Sequence, residues 1–221
     1  MGEPIGIIGG TGPLGTGLAL RFAAAGLKVQ VGSRDSARAG EVAGRLNSRL
    51  DGTGAEVSGG PNHEVAALAL VVVALPYEAV RTTIPGLAGE LAGKVVVSTA
   101  VPMSFASRGP EPLHPEAGSA AEELAELCPE SRVVGAFQTV AAGQLLDLGL
   151  LLDEDVLVGG DDREARREVA ELVQRIAGLR AVESGPLTTC RYAEGLTPLL
   201  LRLNRLHHAQ TGIRITGLQR R

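Results

Sequence analysis

The sequence predicts an α/β fold whose central sheet is doubly wound and mostly parallel. From residue 5 to residue 98, short apolar runs alternate with stretches of helical period, and strands that alternate with helices form right-handed parallel crossovers. The run Ala69–Leu75 is apolar at every position, which is typical of a strand covered on both faces. A glycine-rich turn, residues 9–15, separates the first apolar run from the first helical stretch. Together these observations predict a Rossmann-type sheet.

The elements of the first hundred residues follow from the same patterns. Strands are predicted at Ile5–Ile8, Val29–Val31, Ala55–Ser58, Ala69–Leu75 and Lys94–Ser98. Helices are predicted at Leu14–Ala25, Ser36–Leu50, residues 62–68 and Glu78–Leu91. The run Asp51-Gly52-Thr53-Gly54 predicts a turn.

The regular alternation stops at residues 102–118, where four prolines and two glycines predict a long loop. Ser119 and Glu122 have the spacing of a capping box and predict the start of the next helix. Further strands are predicted at Val133–Phe137, Asp155–Gly159 and Ala181–Glu183, and further helices at Asp162–Ala177 and about 188–210. Pro198 should kink the last helix or split it in two. We therefore expect a nucleotide-binding domain over residues 1–150 and a small C-terminal helical or α+β cap domain over residues 151–221.

The composition excludes several classes of protein. The net charge is −4 and only 2% of the residues are aromatic, which argues against nucleic-acid binding. The longest apolar run, Val65–Pro76, is too short to span a bilayer, and the N-terminus has no signal-peptide pattern. Cys128 and Cys190 have no metal-type neighbours and are expected to be free thiols. We expect a cytoplasmic protein that binds neither nucleic acid nor membrane and holds no metal.

The glycine-rich turn predicts a dinucleotide site. Gly10, Gly12 and Gly15, with Thr11, Pro13 and Leu14 between them, satisfy G-x-G-x-x-G between a strand and a helix. The first glycine permits a tight turn, the second lets the backbone approach a pyrophosphate, and the third lets the helix pack on the strand. Amide groups at the helix N-terminus would then hold the phosphates.

The end of the second strand indicates which dinucleotide is bound. An Asp or Glu at this point would bond the ribose 2′-hydroxyl of NAD, but the chain has Ser33 and Arg34, with Arg38 one helical turn later. A hydroxyl and two guanidinium groups suit a 2′-phosphate, so NADP is the predicted cofactor. The alternative is that both arginines are solvated and paired with Asp35 or Glu41.

The common catalytic patterns of dehydrogenases are absent from the sequence. There is no Tyr-x-x-x-Lys pair, both lysines begin predicted strands, and the four histidines form no zinc-type cluster with the cysteines. A reaction partner that needs no acid or base from the protein fits this best. Hydride transfer between two ring cofactors is such a reaction, because the acceptor ring itself delocalises the charge, and the protein chiefly aligns two planes.

Several segments resemble the NADPH-dependent coenzyme F-420 reductases (F-420:NADP oxidoreductases). The matching motifs, in chain order, are Gly9-Gly10-Thr11-Gly12-Pro13-Leu14-Gly15, Gly32-Ser33-Arg34, Val101-Pro102, Ser119-Ala120-Ala121-Glu122, Gly160-Asp161-Asp162, Gly185-Pro186-Leu187, Leu196-Thr197-Pro198-Leu199 and Gly212-Ile213-Arg214-Ile215-Thr216-Gly217-Leu218. The resemblance covers nearly the whole chain. It implies a homodimeric oxidoreductase that transfers a hydride directly between NADP(H) and the deazaflavin coenzyme F-420.

The resemblance also implies roles for individual residues. Thr11–Leu14 would hold the pyrophosphate, and Ser33, Arg34 and Arg38 the 2′-phosphate. The nicotinamide would lie beside Leu75, Pro76, Ala100 and Val101, with Ala142 near its carboxamide. The deazaflavin would stack near Val101, Pro102, Gln138, Thr139 and Val140, with the C-terminal helix closing the pocket.

Two features of the sequence leave alternatives open. The family commonly has His where this chain has Gln138, and often Pro where it has Ala141; Gln can bond a ring carbonyl but does not titrate near neutrality. A small ketone, imine or quinone is therefore a second candidate substrate, and a non-catalytic NADPH sensor is a third interpretation. Arg202 and Arg205 share a helix face and are candidates for the polyanionic tail of F-420, although a solvent-facing stripe explains them equally well.

Overall fold

The computed structural model describes residues 3–50, 54–107 and 109–218. Its ten strands are β1 Ile5–Ile8, β2 Val29–Ser33, β3 Val57–Pro61, β4 Leu70–Val73, β5 Val95–Ser98, β6 Met103–Ala106, β7 Gly109–Pro112, β8 Arg132–Gly135, β9 Glu154–Gly160 and β10 Leu179–Gly185. Most of the predicted turn at residues 51–54 lies outside the described residues.

Nine α-helices connect and cover these strands in the described part of the chain. They are α1 Pro13–Ala24, α2 Ser36–Arg49, α3 Asn62–Ala66, α4 Tyr77–Thr83, α5 Ala88–Leu91, α6 Ala120–Leu127, α7 Ala142–Leu145, α8 Arg163–Gln174 and α9 Cys190–His207. Two short 3-10 turns occur at Ile84–Leu87 and Leu187–Thr189. No helix among the described residues is long and apolar enough to cross a membrane.

Eight strands form one sheet in the order β10-β9-β8-β5-β4-β1-β2-β3. The six strands from β3 to β8 run parallel, β9 pairs antiparallel with β8, and β10 runs parallel to β9. The predicted doubly wound, mostly parallel α/β fold is confirmed. Because β9 and β10 extend the same sheet, the sheet crosses the proposed boundary at residue 150, and the division into two domains stays a prediction.

Both faces of the sheet are covered by apolar packing. On one face α1, α2 and α8 bury a cluster that includes Leu18, Phe22 and Val169, and on the other α4, α5 and α6 bury one that includes Ile84 and Leu124. This two-sided cover explains why β1 and β4 are apolar at nearly every position.

The segment 102–118 differs from the loop that its prolines predict. Met103–Ala106 pairs antiparallel with Gly109–Pro112 and forms a separate two-stranded hairpin, β6–β7. Each strand of a two-stranded ribbon has a free edge, and a proline whose missing N–H faces that edge costs no ladder bond. The hairpin packs against α9 through Arg202, whose Nε donates to the carbonyl of Pro110 at 3.1 Å.

Two helix predictions also need correction. The predicted helix Glu78–Leu91 is broken into α4, a 3-10 turn and α5, since Pro85 lacks an N–H donor and Gly86 is a poor helix former. The predicted last helix is shorter than expected, but it continues through Pro198 as a single helix rather than two. Polar contacts hold it before the proline, at Glu194 and Thr197, and after the proline, at Arg202.

The C-terminal segment after α9 is tied to β9 by a buried carboxylate. Asp155 is fully buried and accepts two hydrogen bonds from Arg180, at 2.7 and 2.6 Å, and one from the Ile215 amide at 2.6 Å. Arg214 also donates to it at 3.2 Å. Burial is the largest single effect on the pKa of Asp155 and raises it, but the hydrogen bonds and the charges of Arg180 and Arg214 together hold the pKa below its usual value. The segment is therefore anchored to β9 at residues 213–215, while most of its other residues are exposed.

Candidate nucleotide and hydride-transfer site

The predicted site residues follow the carboxyl ends of neighbouring parallel strands. The glycine loop follows β1, Ser33 ends β2, Leu75 follows β4, Val101 follows β5 and Gln138 follows β8. The carboxyl ends of these parallel strands lie at one edge of the sheet. After β1, the chain adds β2 and β3 on one side of it and then crosses to the other side to form β4, so the strand order reverses between β1 and β4. Dinucleotides bind at such a switch point in doubly wound sheets. The topology thus brings these segments to one edge.

The glycines of the loop differ in what surrounds them. A Cβ on Gly10 would lie 2.6 Å from Val31 Cβ, and one on Gly15 would lie 2.6 Å from the Gly9 carbonyl. A Cβ on Gly12 would meet only the Gly9 oxygen, at 3.4 Å, which is ordinary contact. The protein's own packing therefore requires Gly10 and Gly15 but leaves open space at Gly12. This is the space that a closely approaching pyrophosphate needs.

The N-terminus of α1 faces this space without a side-chain cap. Gly12 is the N-cap residue, Pro13 occupies the first helical position, and the first turn contains no acidic residue. The N–H groups of Leu14 and Gly15 have no acceptor among the described residues. Free amides and the positive end of the helix dipole favour an anion here.

Ser33, Arg34 and Arg38 meet beside the same loop. They line a cavity of about 200 Å³ together with Thr11, Leu75 and Pro76. Asp35 caps α2 instead of pairing with the arginines, accepting from the amides of Ala37 at 3.0 Å and Arg38 at 3.2 Å. Within the described ranges, neither guanidinium takes part in an ion pair. The alternative pairing with Asp35 or Glu41 is therefore not what the structure contains, and the two positive charges are available to an anion.

Asn62 lies in this region and the sequence patterns did not indicate it. It begins α3 directly after β3, is 8% exposed, and lines both the 200 Å³ cavity and an adjoining one of about 510 Å³. Its Oδ1 has no hydrogen-bond partner among the described residues. Its position after a parallel strand, at the edge where ligands bind, is the signal that could have identified it.

The segment after β8 is held in a strained and buried form. Phe137 has φ +66° and its ring makes an edge-to-face contact with Phe22, with 6.0 Å between centroids. Gln138, Thr139 and Val140 are each more than nine-tenths buried. The Gln138 carbonyl accepts from Thr197 Oγ1 at 2.8 Å, and its side-chain amide points toward the carbonyl of Ser98 at 3.5 Å. In this structure the Gln138 side chain is thus directed at the end of β5.

The predicted deazaflavin residues are only partly brought together. Pro102 lines a cavity of about 390 Å³ between the 112–118 segment and α9. The other walls of this cavity are formed by Pro112, Leu113, His114, Pro115, Gly118, Arg191, Tyr192, Glu194 and Gly195. Val101 is half-buried, and neither it nor residues 138–140 line this cavity. Ala100, which follows β5, is buried, and Ala142, which follows the buried segment after β8, is half-buried.

Arg202 and Arg205 lie at a different place. They line a cavity of about 500 Å³ with Ser107, Gly109, Pro110 and Leu206. Arg202 also lies 3.8 Å from Glu111. Arg202 and Arg205 are exposed, and Leu199 and Leu206 beside them are 51% and 71% exposed. The alternative explanation, a solvent-facing stripe, is therefore compatible with the structure.

A buried carboxylate joins α9 to α6 beside the 390 Å³ cavity. Glu194 accepts from the amides of Ala120 at 2.8 Å and Ala121 at 3.1 Å, which are the first residues of α6. Burial raises the pKa of Glu194 to about 7, although the two amides oppose this. The predicted helix start is confirmed, because Ser119 Oγ caps α6 by accepting from the Glu122 amide at 3.1 Å. The Glu122 carboxylate accepts from the Ser119 hydroxyl at 2.8 Å rather than from its backbone amide, so the reciprocal half of a capping box is replaced by a bond between the two side chains. Arg191 holds the same Glu122 carboxylate from α9.

The described residues contain no group of three His, Cys, Asp or Glu side chains arranged to hold a metal ion. Both cysteines are buried free thiols, and burial is the main cause that raises their pKa values. Neither thiol is placed or ionised as a nucleophile would be.

Comparison with known proteins identifies the family. Residues 4–102 match the family model described as NADP oxidoreductase, coenzyme F-420-dependent. The chain is 42% identical to the F-420-dependent NADP reductase of Methanocaldococcus jannaschii, over 97% of this chain and 99% of that protein. The chain belongs to the F-420-dependent NADP reductase family.

Two further relatives agree with this membership. The F-420-dependent NADP reductase of Methanothermobacter thermautotrophicus is 39% identical over 97% of this chain and 95% of its own length. Among solved structures, a putative F-420-dependent NADP reductase from Arthrobacter sp. FB24 superposes with a TM-score of 0.82 at 30% identity, covering 97% of this chain and 100% of that one. The family resemblance predicted from the motifs is confirmed.

Proposed function

We propose that this protein transfers a hydride between NADP(H) and the deazaflavin coenzyme F-420. The observation that carries the proposal is the full-length likeness to F-420-dependent NADP reductases, 42% identity over 97% of the chain. The uncompensated Ser33, Arg34 and Arg38 group supports NADP rather than NAD, since guanidinium groups bind a 2′-phosphate and an acid would repel it. The nicotinamide, when bound, supplies the hydride donor or acceptor.

The chain itself binds and orients. Thr11–Leu14 would hold the pyrophosphate at the N-terminus of α1, where free amides support anion binding. Leu75, Pro76, Ala100 and Val101 would flank the nicotinamide, with Ala142 by its carboxamide. Because these segments are apolar, they would also exclude water from the reacting ring.

The second ring would stack over the nicotinamide near Val101, Pro102 and residues 138–140, with α9 closing the pocket. The buried form of residues 138–140 supports a fixed wall on that side, whereas the 390 Å³ cavity borders Pro102 and α9 but neither Val101 nor residues 138–140. Hydride transfer between two rings depends mainly on holding the two ring planes in register. The proposal therefore assigns no catalytic acid or base.

We propose that Arg202 and Arg205 receive the polyanionic tail of F-420. The cavity that they line with the β6–β7 hairpin is about 500 Å³ and open to solvent on the arginine side. Arginine forms charge-assisted hydrogen bonds with carboxylates and phosphates. Residues 151–221, which include both arginines, would act as the small C-terminal domain that closes the substrate side.

We also propose a homodimer formed through the outer face of α9. Tyr192, Leu196, Leu199, Leu203 and Leu206 follow one another at spacings of four and three residues, the spacing of a helix seam. Tyr192, Leu199 and Leu206 are 71%, 51% and 71% exposed in the single chain. A second copy related by a twofold axis would present the same stripe and cover both. The free, buried thiols support a reducing compartment, the cytoplasm.

Mixing the protein with NADPH and F-420, and following the visible absorbance of the deazaflavin, tests the proposed activity. Bleaching of that absorbance with oxidation of NADPH is the expected result. Tight NADPH binding without bleaching would contradict it. In that case consumption of NADPH by a panel of ketones, imines and quinones would favour the second candidate, which rests on Gln138 in place of the family His. Tight NADPH binding with no oxidation of NADPH by any of these compounds would favour the third interpretation, a non-catalytic NADPH sensor.

A further inference from the structure

Arg21 is a buried arginine on α1 whose partners all lie in one distant loop. It is 7% exposed. Its guanidinium donates to the carbonyls of Leu145, Gln144 and Leu150, each at 3.0 Å, and to that of Asp147. Burial is the main cause that lowers the pKa of Arg21, and nearby Asp147 opposes this, but an arginine remains charged under these conditions. A single side chain thus satisfies four carbonyls of the 144–150 loop.

This loop is pressed against the same face of α1 that begins at the phosphate-binding turn. Leu14, Gly17 and Arg21 are three and four residues apart and share one side of the helix. Leu145 is fully buried beside Gly17, where an added Cβ would lie 2.7 Å from Leu145 Cβ and 3.3 Å from the Ala142 carbonyl. The loop and the helix are therefore in close contact along about two turns.

The loop leads directly back to the proposed nicotinamide and deazaflavin segments. Val140 and Ala141 precede α7, Ala142 begins it, and the amides of Gln144 and Leu145 bond to the Ala141 carbonyl. Movement of residues 144–150 would carry Ala141 and Ala142 with it. Helix α1 consequently connects two parts of the site, one at its N-terminus and the other through Arg21.

We propose that Arg21 is a positioning residue for the nicotinamide half of the dinucleotide. By holding residues 144–150 on α1, it fixes Val140–Ala142 relative to the phosphate-binding turn. This role rests on the proposed NADP site. It predicts that loss of the guanidinium weakens contacts at the nicotinamide end and leaves the adenosine end, at Ser33 and Arg34, unchanged.

The test compares a whole dinucleotide with its adenosine half in an Arg21→Met variant. NADPH binding is followed by the fluorescence of its reduced nicotinamide, and binding of adenosine 2′,5′-bisphosphate by calorimetry. We expect the Kd for NADPH to rise about tenfold, and kcat to fall at least as much, because small misplacements of positioning groups cost up to about a hundredfold. The Kd for the bisphosphate should stay within about twofold of the unaltered protein, since no phosphate contact is lost.

A second variant reaches the same loop without removing the charge. Gly17→Ala pushes Leu145 and Ala142 away from α1 and should give the same split between the two ligands. Arg175→Ala is the matched control, because Arg175, the residue after α8, donates to the Ala25 carbonyl at 2.7 Å, beyond the end of α1, and forms no hydrogen bond with residues 144–150 among the described residues. It should change neither Kd.

Two results would overturn the role. Equal weakening of both ligands in Arg21→Met and Gly17→Ala would mean a general loss of structure, and no change in either would mean that the loop position is unimportant. If Arg21→Met does not fold, the split in Gly17→Ala alone decides. Failure of the unaltered protein to bind NADPH at all would instead refute the proposed NADP site, and the two failures are thereby distinguishable.

Discussion

At the scale of single residues, similar side chains near the glycine loop serve different physical requirements. Gly10 and Gly15 are enclosed by backbone and by Val31, whereas Gly12 borders open space. Arg34 and Arg38 are exposed and have no ion-pair partner in the described part of the chain, while Arg21, on the neighbouring helix, is buried and donates to four carbonyls. Residue type alone therefore does not separate residues that stabilise the fold from those available to a ligand.

Substitution of the second and third glycines should separate binding from stability. Gly12→Ala should lower the unfolding free energy by less than about 1 kcal/mol, since alanine is only a slightly poorer N-cap residue than glycine. It should nevertheless abolish NADPH binding, because the added methyl group occupies the space that the pyrophosphate needs. Gly15→Ala should cost about 1 to 3 kcal/mol, since overpacking strains the backbone. Denaturant unfolding and NADPH titration of both variants check this. Similar losses of stability in the two would contradict it.

Arg34 should determine the preference for the phosphorylated cofactor. Arg34→Ala removes a charged donor from the proposed 2′-phosphate site and should raise the Kd for NADPH about tenfold or more. The Kd for NADH should change little, because NADH has no phosphate there. Titration of both cofactors measures the ratio, with Arg163→Ala, an exposed arginine at the start of α8, as the control. Equal weakening of NADPH and NADH would refute the assignment of Arg34.

At the scale of elements, α9 has three separate faces. Its buried face carries Glu194 and Leu200 against the protein, its arginines contact the β6–β7 hairpin, and its outer stripe is apolar and exposed. Periodicity places leucines at regular intervals but does not say which of them the fold covers. The hairpin takes up one side of the helix, and this leaves the stripe from Tyr192 to Leu206 uncovered.

Charges on the outer stripe of α9 should dissociate the proposed dimer. Leu199→Asp and Leu206→Asp would each place a carboxylate in an apolar contact, where it cannot be solvated. Sedimentation should show a dimer for the unaltered protein and a monomer for the double variant. Leu151→Asp, at another exposed leucine outside the helix, should leave the dimer intact. A monomeric unaltered protein would rule out this interface.

At the scale of the whole molecule, the segments before and after residue 150 are joined at several points. The sheet continues from β8 into β9, Thr197 donates to the Gln138 carbonyl, and Glu194 binds the first turn of α6. Glu194 is the titratable group among these contacts. Its protonation therefore couples the packing of α9 on α6 to pH.

Stability should depend on pH through Glu194. Burial raises its pKa to about 7 in the folded protein, so between its ordinary pKa and about 7 the folded state binds this proton more tightly than the unfolded state does. The unfolding free energy should then fall as pH rises through that window. Glu194→Gln removes this dependence. The unfolding free energy of the unaltered protein minus that of the variant should therefore fall by about 1 kcal/mol or more from pH 5 to pH 8.

Denaturant unfolding at several pH values measures that difference. Glu168→Gln, at an exposed position on α8, provides the control and should show a constant difference. A constant difference for Glu194→Gln would mean that the carboxylate is charged throughout, with the two α6 amides outweighing burial.

The sequence by itself determined the features that depend on contiguous residues. The strands and helices up to Ser98, the glycine turn, and the Ser33–Arg34 pair with Arg38 one turn later follow from local periodicity and turn chemistry. Two departures in that region are the helix predicted at Glu78–Leu91, which breaks at Pro85, and the strand predicted at Ala55–Ser58, which lies at Val57–Pro61. The N-cap at Ser119 is local too, and its hydroxyl accepts from the Glu122 amide as the spacing predicts.

Only the tertiary structure decided the features that depend on distant partners. Arg21 finds its acceptors more than 120 residues away, and Glu194 binds amides 73 and 74 residues away. The pairing of β6 with β7, the exposure of the α9 leucines and the orphaned Asn62 likewise depend on which surfaces meet. No local spacing encodes such contacts, because their energy comes from groups that folding alone brings together.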